Sequence, residues 1–179
     1  MQTHIALFRG INVGGKNRLP MKGLVQLLQG LGYQNIRTYI QSGNVIFESD
    51  DNQQHFAREI SQAVEEQFGF APQVLLLTLN EFKDAIKNNP FPQGESQPKT
   101  LHLGFLAREP EAPRLEDMEK LKSPTESYLL KGKVFYLYAP DGIGRSKLAA
   151  NTERLLGVPM TDRNWNTVIN ILALTNAAN

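Results

Sequence analysis

Tyr39-Ile-Gln-Ser-Gly43-Asn-Val45-Ile-Phe47 and Tyr128-Leu-Leu-Lys-Gly132-Lys-Val134-Phe-Tyr136 run parallel at a constant offset of 89 residues. Each is a pair of apolar, β-prone runs broken by a glycine, which is how a β-hairpin reads in sequence. In the first, strands over Ile36–Gln41 and Val45–Glu48 meet at a tight turn, Ser42-Gly43-Asn44. In the second, Ser127–Lys131 meets Lys133–Ala139. A second pair of strings, His4-Ile-Ala-Leu-Phe8 and His102-Leu-Gly-Phe-Leu106, aligns at an offset of 98. The chain therefore contains one scaffold twice.

Working outward from the first hairpin, Pro20 suits a first helical turn, and Leu24, Leu27, Leu28 and Leu31 follow at three- and four-residue spacing. After the hairpin, Asp51 or Asn52 is placed to cap a helix that turns Phe56, Ile60, Val64 and Phe68 inward. Gln73–Thr78 closes the unit as a strand. The second half offers a helix over Pro113–Leu121, a helix over Ser146–Leu156 and an extended Val158–Thr161. Both halves read βαββαβ, the order of the ferredoxin-like plait. The expected fold is α+β: two ferredoxin-like plait units, antiparallel sheets with helices on one face, and a C-terminal helix. The units span residues 1–79 and 100–162. A helix and a Pro-rich loop over 80–99 join them, and the helix over 163–179 clasps the halves with Trp165, Val168, Ile169 and Leu172 on one stripe. From the first strand to the hairpin glycine the first copy is longer by nine residues, close to the length of the loop Gly10–Asn17, which makes that loop an elaboration of a bare scaffold.

The composition bounds the chemistry. With 179 residues, 41% of them hydrophobic, the chain can bury a stable core unaided. It has no cysteine, which excludes disulfides, thiolate metal sites and a cysteine nucleophile. His4, His55 and His102 are scattered, and no carboxylate spacing suggests a metal centre, so no metal or cofactor is expected. Ser42 has no adjacent histidine to activate it. The start lacks a basic n-region, and the apolar stretch Val74–Leu77 is far shorter than a bilayer span. A cytoplasmic protein without a membrane role is the expectation.

Net charge is only +1, yet its distribution is uneven. Residues 1–47 hold five bases (Arg9, Lys16, Arg18, Lys22 and Arg37) and no acid, whereas residues 48–95 hold three bases and nine acids. Inside the first segment lies Arg9-Gly10-Ile-Asn12-Val-Gly14-Gly15-Lys16-Asn17-Arg18. Glycines let backbone N–H groups approach an anion, and the bases supply charge. The spacing fits neither the G-x-x-x-x-G-K-[ST] loop nor the dinucleotide fingerprint. Asp141-Gly-Ile-Gly-Arg145-Ser-Lys147 is a second glycine-rich approach, here to a helix start capped by Ser146. If the two loops share a side, Arg145 and Lys147 join Lys16 and Arg18 in one groove. Arg163, Asn164 and Asn166 flank the single tryptophan and are harder to explain by packing.

Leu7-Phe-Arg-Gly-Ile-Asn-Val-Gly-Gly-Lys16, Thr38-Tyr-Ile-Gln-Ser-Gly-Asn-Val45 and Arg163-Asn-Trp-Asn-Thr167 resemble the hallmark segments of a bacterial family catalogued as domain of unknown function 1697. Asn89-Pro-Phe-Pro92 and Ser146-Lys-Leu148 extend the likeness. The resemblance implies a duplicated plait and no particular reaction. The function expected from the residues is binding of a phosphate-bearing ligand, a nucleotide or a nucleic-acid backbone such as RNA. Arg9, Lys16, Arg18, Arg145, Lys147 and Arg163 would meet phosphate, Gly10, Gly14 and Gly15 would allow backbone approach, and Asn12, Asn17, Asn164 and Asn166 would orient the ligand. The alternatives are an enzyme acting on a phosphorylated or carboxylated metabolite, and a protein-interaction module with an exposed apolar sheet face.

Overall fold

A computed structural model describes residues 1–50 and 53–177. The expected cap at Asp51 or Asn52 lies outside them. The chain divides into two compact units, one made of Met1–Asp84 with the chain from Asn170 onward, the other of Ala85–Ile169.

The first unit contains β1 (Gln2–Arg9), α1 (Met21–Gly30), β2 (Gln34–Tyr39), β3 (Asn44–Ser49), α2 (Phe56–Phe68) and β4 (Gln73–Thr78), and the chain continues into α3 (Leu79–Lys87). Its sheet has the order β2-β3-β1-β4, antiparallel throughout. The second unit repeats this with β5 (Leu101–Leu106), α4 (Leu115–Leu121), β6 (Ser127–Lys131), β7 (Val134–Tyr138), α5 (Lys147–Leu156) and β8 (Met160–Asn164), followed by α6 (Trp165–Asn176). Its order is β6-β7-β5-β8. Both are ferredoxin-like plaits.

Alternation along the strands fixes what each sheet buries. Ala6, Phe8, Val45 and Phe47 point at α1 and α2, where Leu24, Leu28, Ile60 and Val64 meet them. Leu106, Phe135 and Leu137 do the same against Met118 of α4 and Leu148 and Leu155 of α5. Each fully buried side chain of this size stabilises by about 1.5–3 kcal/mol. On the opposite faces the central strands are covered as well: Ile5, Leu7, Ile46, Leu101, Leu103 and Phe105 are at most 1% exposed, whereas Leu129 on the edge strand β6 is 39% exposed.

Strand pairing corrects the hairpin register. His4 stands opposite Phe47, and His102 opposite Leu137. The offset of 98 between opening strands therefore holds, while β3 and β7 correspond at 90 rather than 89. At 89, inward Phe47 would match Tyr136, which faces the other way and donates its hydroxyl to the Ala85 carbonyl at 2.6 Å. A one-residue slip turns every side chain to the wrong face. The slip arises because the first hairpin joins its strands with four residues, Ile40–Gly43, and not with a tight turn at Ser42-Gly43-Asn44. The second uses two, Gly132 and Lys133.

The excess length of the first copy between His4 and Phe47 is eight residues, and it is not one insertion. The connection over residues 10–20 exceeds its counterpart over 107–114 by three, α1 exceeds α4 by three, and the hairpin loop by two.

The pairing also reveals a seventh repeated element. Thr78 lies opposite His4 and Asn164 opposite His102, and each caps the helix that follows. Thr78 Oγ1 accepts the Glu81 amide at 3.1 Å while Glu81 accepts the Thr78 amide at 2.8 Å, a reciprocal capping box. Asn164 Oδ1 accepts the Thr167 amide at 3.0 Å. The connecting helix α3 and the terminal helix α6 are thus equivalent parts of a βαββαβα repeat. No helix among the described residues is long and apolar enough to cross a membrane.

Candidate functional site

The segment after β1 folds as a miniature hairpin. Gly14 and Gly15 have φ of +59° and +73°, as the two central residues of a type I′ turn require. Val13 and Lys16 pair across it, with the Lys16 amide donating to the Val13 carbonyl and the Asn12 amide to the Asn17 carbonyl, both at 3.0 Å.

Two asparagines fix this ribbon to the body. Asn12, at φ +54°, donates its side-chain amide to the carbonyls of Leu19 (2.9 Å) and Gln41 (2.8 Å) and accepts the Leu19 amide at 2.8 Å. Asn17, at φ +52°, donates to the Gly10 carbonyl at 3.1 Å. Their side chains are thus engaged in the loop itself, a use that asparagine's tolerance of left-handed backbone favours. Below, Ile11 is buried beside Gly43, whose missing side chain makes the contact feasible: a Cβ there would lie 2.6 Å from both Ile11 Cδ1 and Phe8 Cβ.

What remains outward is cationic. Lys16 and Arg18 are exposed and form no ion pair among the described residues. Arg9, also exposed, reaches Gln73 Oε1 at 3.5 Å. Arg37 is turned elsewhere and donates to the Leu174 and Ala177 carbonyls at the end of α6, a favourable place for a cation. No side chain or backbone atom lies within 4 Å of a Cβ built on Gly14 or Gly15, so the turn stands open.

The remaining candidates belong to the second unit. Ser146 caps α5, its Oγ accepting the Ala149 amide at 3.0 Å. Arg145 and Lys147 line a cavity of about 560 Å³ with Lys120, Asp141 and Glu126. Two carboxylates thus stand among its three cations, in contrast to the acid-free hairpin. Arg163 lies on β8 and donates to the Asp162 carbonyl at 2.9 Å. Burial pushes its guanidinium down to about 10, against the pull of Asp162. Asn164 and Asn166 line a cavity of about 450 Å³ with residues 97–100.

One polar constellation escaped the sequence reading. His102 Nδ1 lies 2.8 Å from Asp162 Oδ2, and its Nε2 lies 3.1 Å from the Lys99 carbonyl. Burial opposes a charge on the ring, but Asp162 and the Lys99 carbonyl outweigh it and raise the pKa. Both nitrogens face acceptors, so the imidazolium satisfies both, and neither is placed to take a substrate proton. Its counterpart His4 is fully buried between Phe47 and Phe56, and burial lowers its pKa. No group of three His, Asp or Glu residues that could hold a metal occurs among the described residues.

Fold and site together define a duplicated plait protein with a rigid cationic ribbon on its first repeat. The chain belongs to the family described as proteins of unknown function (DUF1697), whose profile matches residues 1–136. Among solved structures, a conserved bacterial protein from Streptococcus pneumoniae is similar over 97% of this chain and 98% of its own. The two share 27% identity and superpose with a TM-score of 0.71. No curated protein matches the sequence.

Proposed function

We propose that the protein binds the phosphate backbone of a nucleic acid through the Gly10–Arg18 ribbon. The observation that carries this reading is the exposed, acid-free pair Lys16 and Arg18 on a ribbon locked by Asn12 and Asn17. Fixing the ribbon before binding lowers the entropy lost on association. Its shape favours a polymer over a free nucleotide, because an open turn contacts a passing backbone whereas a mononucleotide needs enclosing walls. The central strands of both sheets are covered, which favours binding by the loops over stacking of bases on an open sheet.

The test is fluorescence anisotropy of a labelled oligonucleotide over a salt series; Trp165, only 7% exposed, is a poor reporter. Binding should weaken with salt, and Lys16→Ala with Arg18→Ala should reduce the log–log slope by about 0.7–0.9 per phosphate contact removed. Salt-independent binding, or a slope unchanged in the double variant, contradicts the reading.

A further inference from the structure

The ribbon and the loop held against its base each carry one exposed apolar side chain that phosphate binding does not use. Val13 is 65% exposed and Ile40 is 49% exposed. Val13 faces Lys16 across the type I′ turn, so an aliphatic group and an ammonium leave the ribbon side by side, with Cβ atoms roughly 5 Å apart. Ile40 begins the loop between β2 and β3, and the bond from Asn12 to the Gln41 carbonyl holds that loop against the base of the ribbon. Ile40 also has a φ of +49°, where a β-branched side chain is strained. The backbone there disfavours isoleucine, and strain of this kind concentrates at functional surfaces.

Resting on the nucleic-acid reading above, we infer that Val13 and Ile40 contact unstacked bases, so that the protein selects single-stranded over double-stranded nucleic acid. A duplex offers the cations its phosphates but keeps its base faces stacked inside. An unpaired strand offers both groups within one nucleotide; single strands are commonly held by a basic track beside aromatic side chains that stack on bases, and here exposed aliphatic groups would supply the apolar contact. The adjacency of Val13 and Lys16 matches that pairing of apolar face and charge.

The experiment compares a labelled oligo-dT strand with a duplex of matched length, using the full chain and the variants Val13→Ser and Ile40→Gly. The strand should bind about tenfold more tightly than the duplex. Each variant should weaken strand binding and leave duplex binding unchanged. Ile40→Gly should keep or raise the melting temperature, because glycine accepts a positive φ, so lost binding cannot be ascribed to unfolding. Equal affinity for strand and duplex overturns this inference and leaves the backbone reading standing. A strand preference untouched by both variants overturns the assignment to Val13 and Ile40. Binding to neither oligonucleotide overturns both readings, as does binding only to phosphatidylserine vesicles or to a polyglutamate peptide.

Discussion

The two hairpins of the duplicated scaffold carry glycines that do different work. In the first, Gly43 ends a four-residue loop and leaves room for Ile11 and Phe8, which seat the cationic ribbon on the core. In the second, Gly132 opens a two-residue turn, and a Cβ there would meet nothing within 4 Å. The same residue type thus serves packing in one unit and only backbone conformation in the other. The connections after β1 and β5 differ likewise. Residues 10–20 are tied by the Asn12 and Asn17 side chains, whereas the connection over 107–114 uses backbone bonds, from the Ala107 amide to the Pro159 carbonyl and from the Arg114 amide to the Leu155 carbonyl. The first unit invests in a rigid projection and the second in a plain link.

Alanine at the two glycines sharpens this contrast most. Gly43→Ala should cost about 3–4 kcal/mol in denaturant unfolding, from the clash below and from a φ of +89°. Gly132→Ala, strained only by its φ of +58°, should cost about 1 kcal/mol. Equal costs would break the distinction. Next comes Asn12→Ala, which removes three hydrogen bonds and leaves the Leu19 amide and two carbonyls without their partner. It should cost about 2–3 kcal/mol, against at most about 0.5 kcal/mol for Arg114→Ala, whose exposed pair with Asp117 contributes little.

The smallest effect separates the histidines. His102 has a folded pKa above 6.5, so its stabilisation is complete below 6.5 and is lost as pH rises through the folded value. His4 has a folded pKa below 6.5, so its contribution is complete above 6.5 and is lost as pH falls through the folded value. NMR titration of the ring protons should place His102 above His4. Asp162→Asn should bring His102 down and leave His4 unmoved. Coincident titrations would show that the two positions do not differ as described.

These differences explain which features could be read before folding. The duplication was legible because His4 and His102 occupy matching positions of the opening strands and each half carries an apolar hairpin broken by a glycine, although the hairpin residues themselves match one position out of register. The register of β3 was not, because loops of four and two residues both place a glycine near the turn, and a slip of one is invisible without a pairing partner. The equivalence of α3 and α6 was hidden by unlike capping chemistry, Thr78 with Glu81 in one and Asn164 with Thr167 in the other. In the ribbon, glycine and base content marked the segment that folds as an exposed cationic turn. The use of Asn12 and Asn17 was ambiguous, since an asparagine that stabilises a turn and one that orients a ligand look alike in sequence. His102 and Asp162 meet only through the pairing of β5 with β8, across 60 residues of chain.

The most direct test is an amide chemical-shift map of the isotopically labelled protein titrated with a short single-stranded oligonucleotide at low salt. Saturable shifts should centre on residues 10–18 and 40–43 and fade as salt is added. Shifts centred instead on residues 139–148, or no shifts at all, would contradict the account.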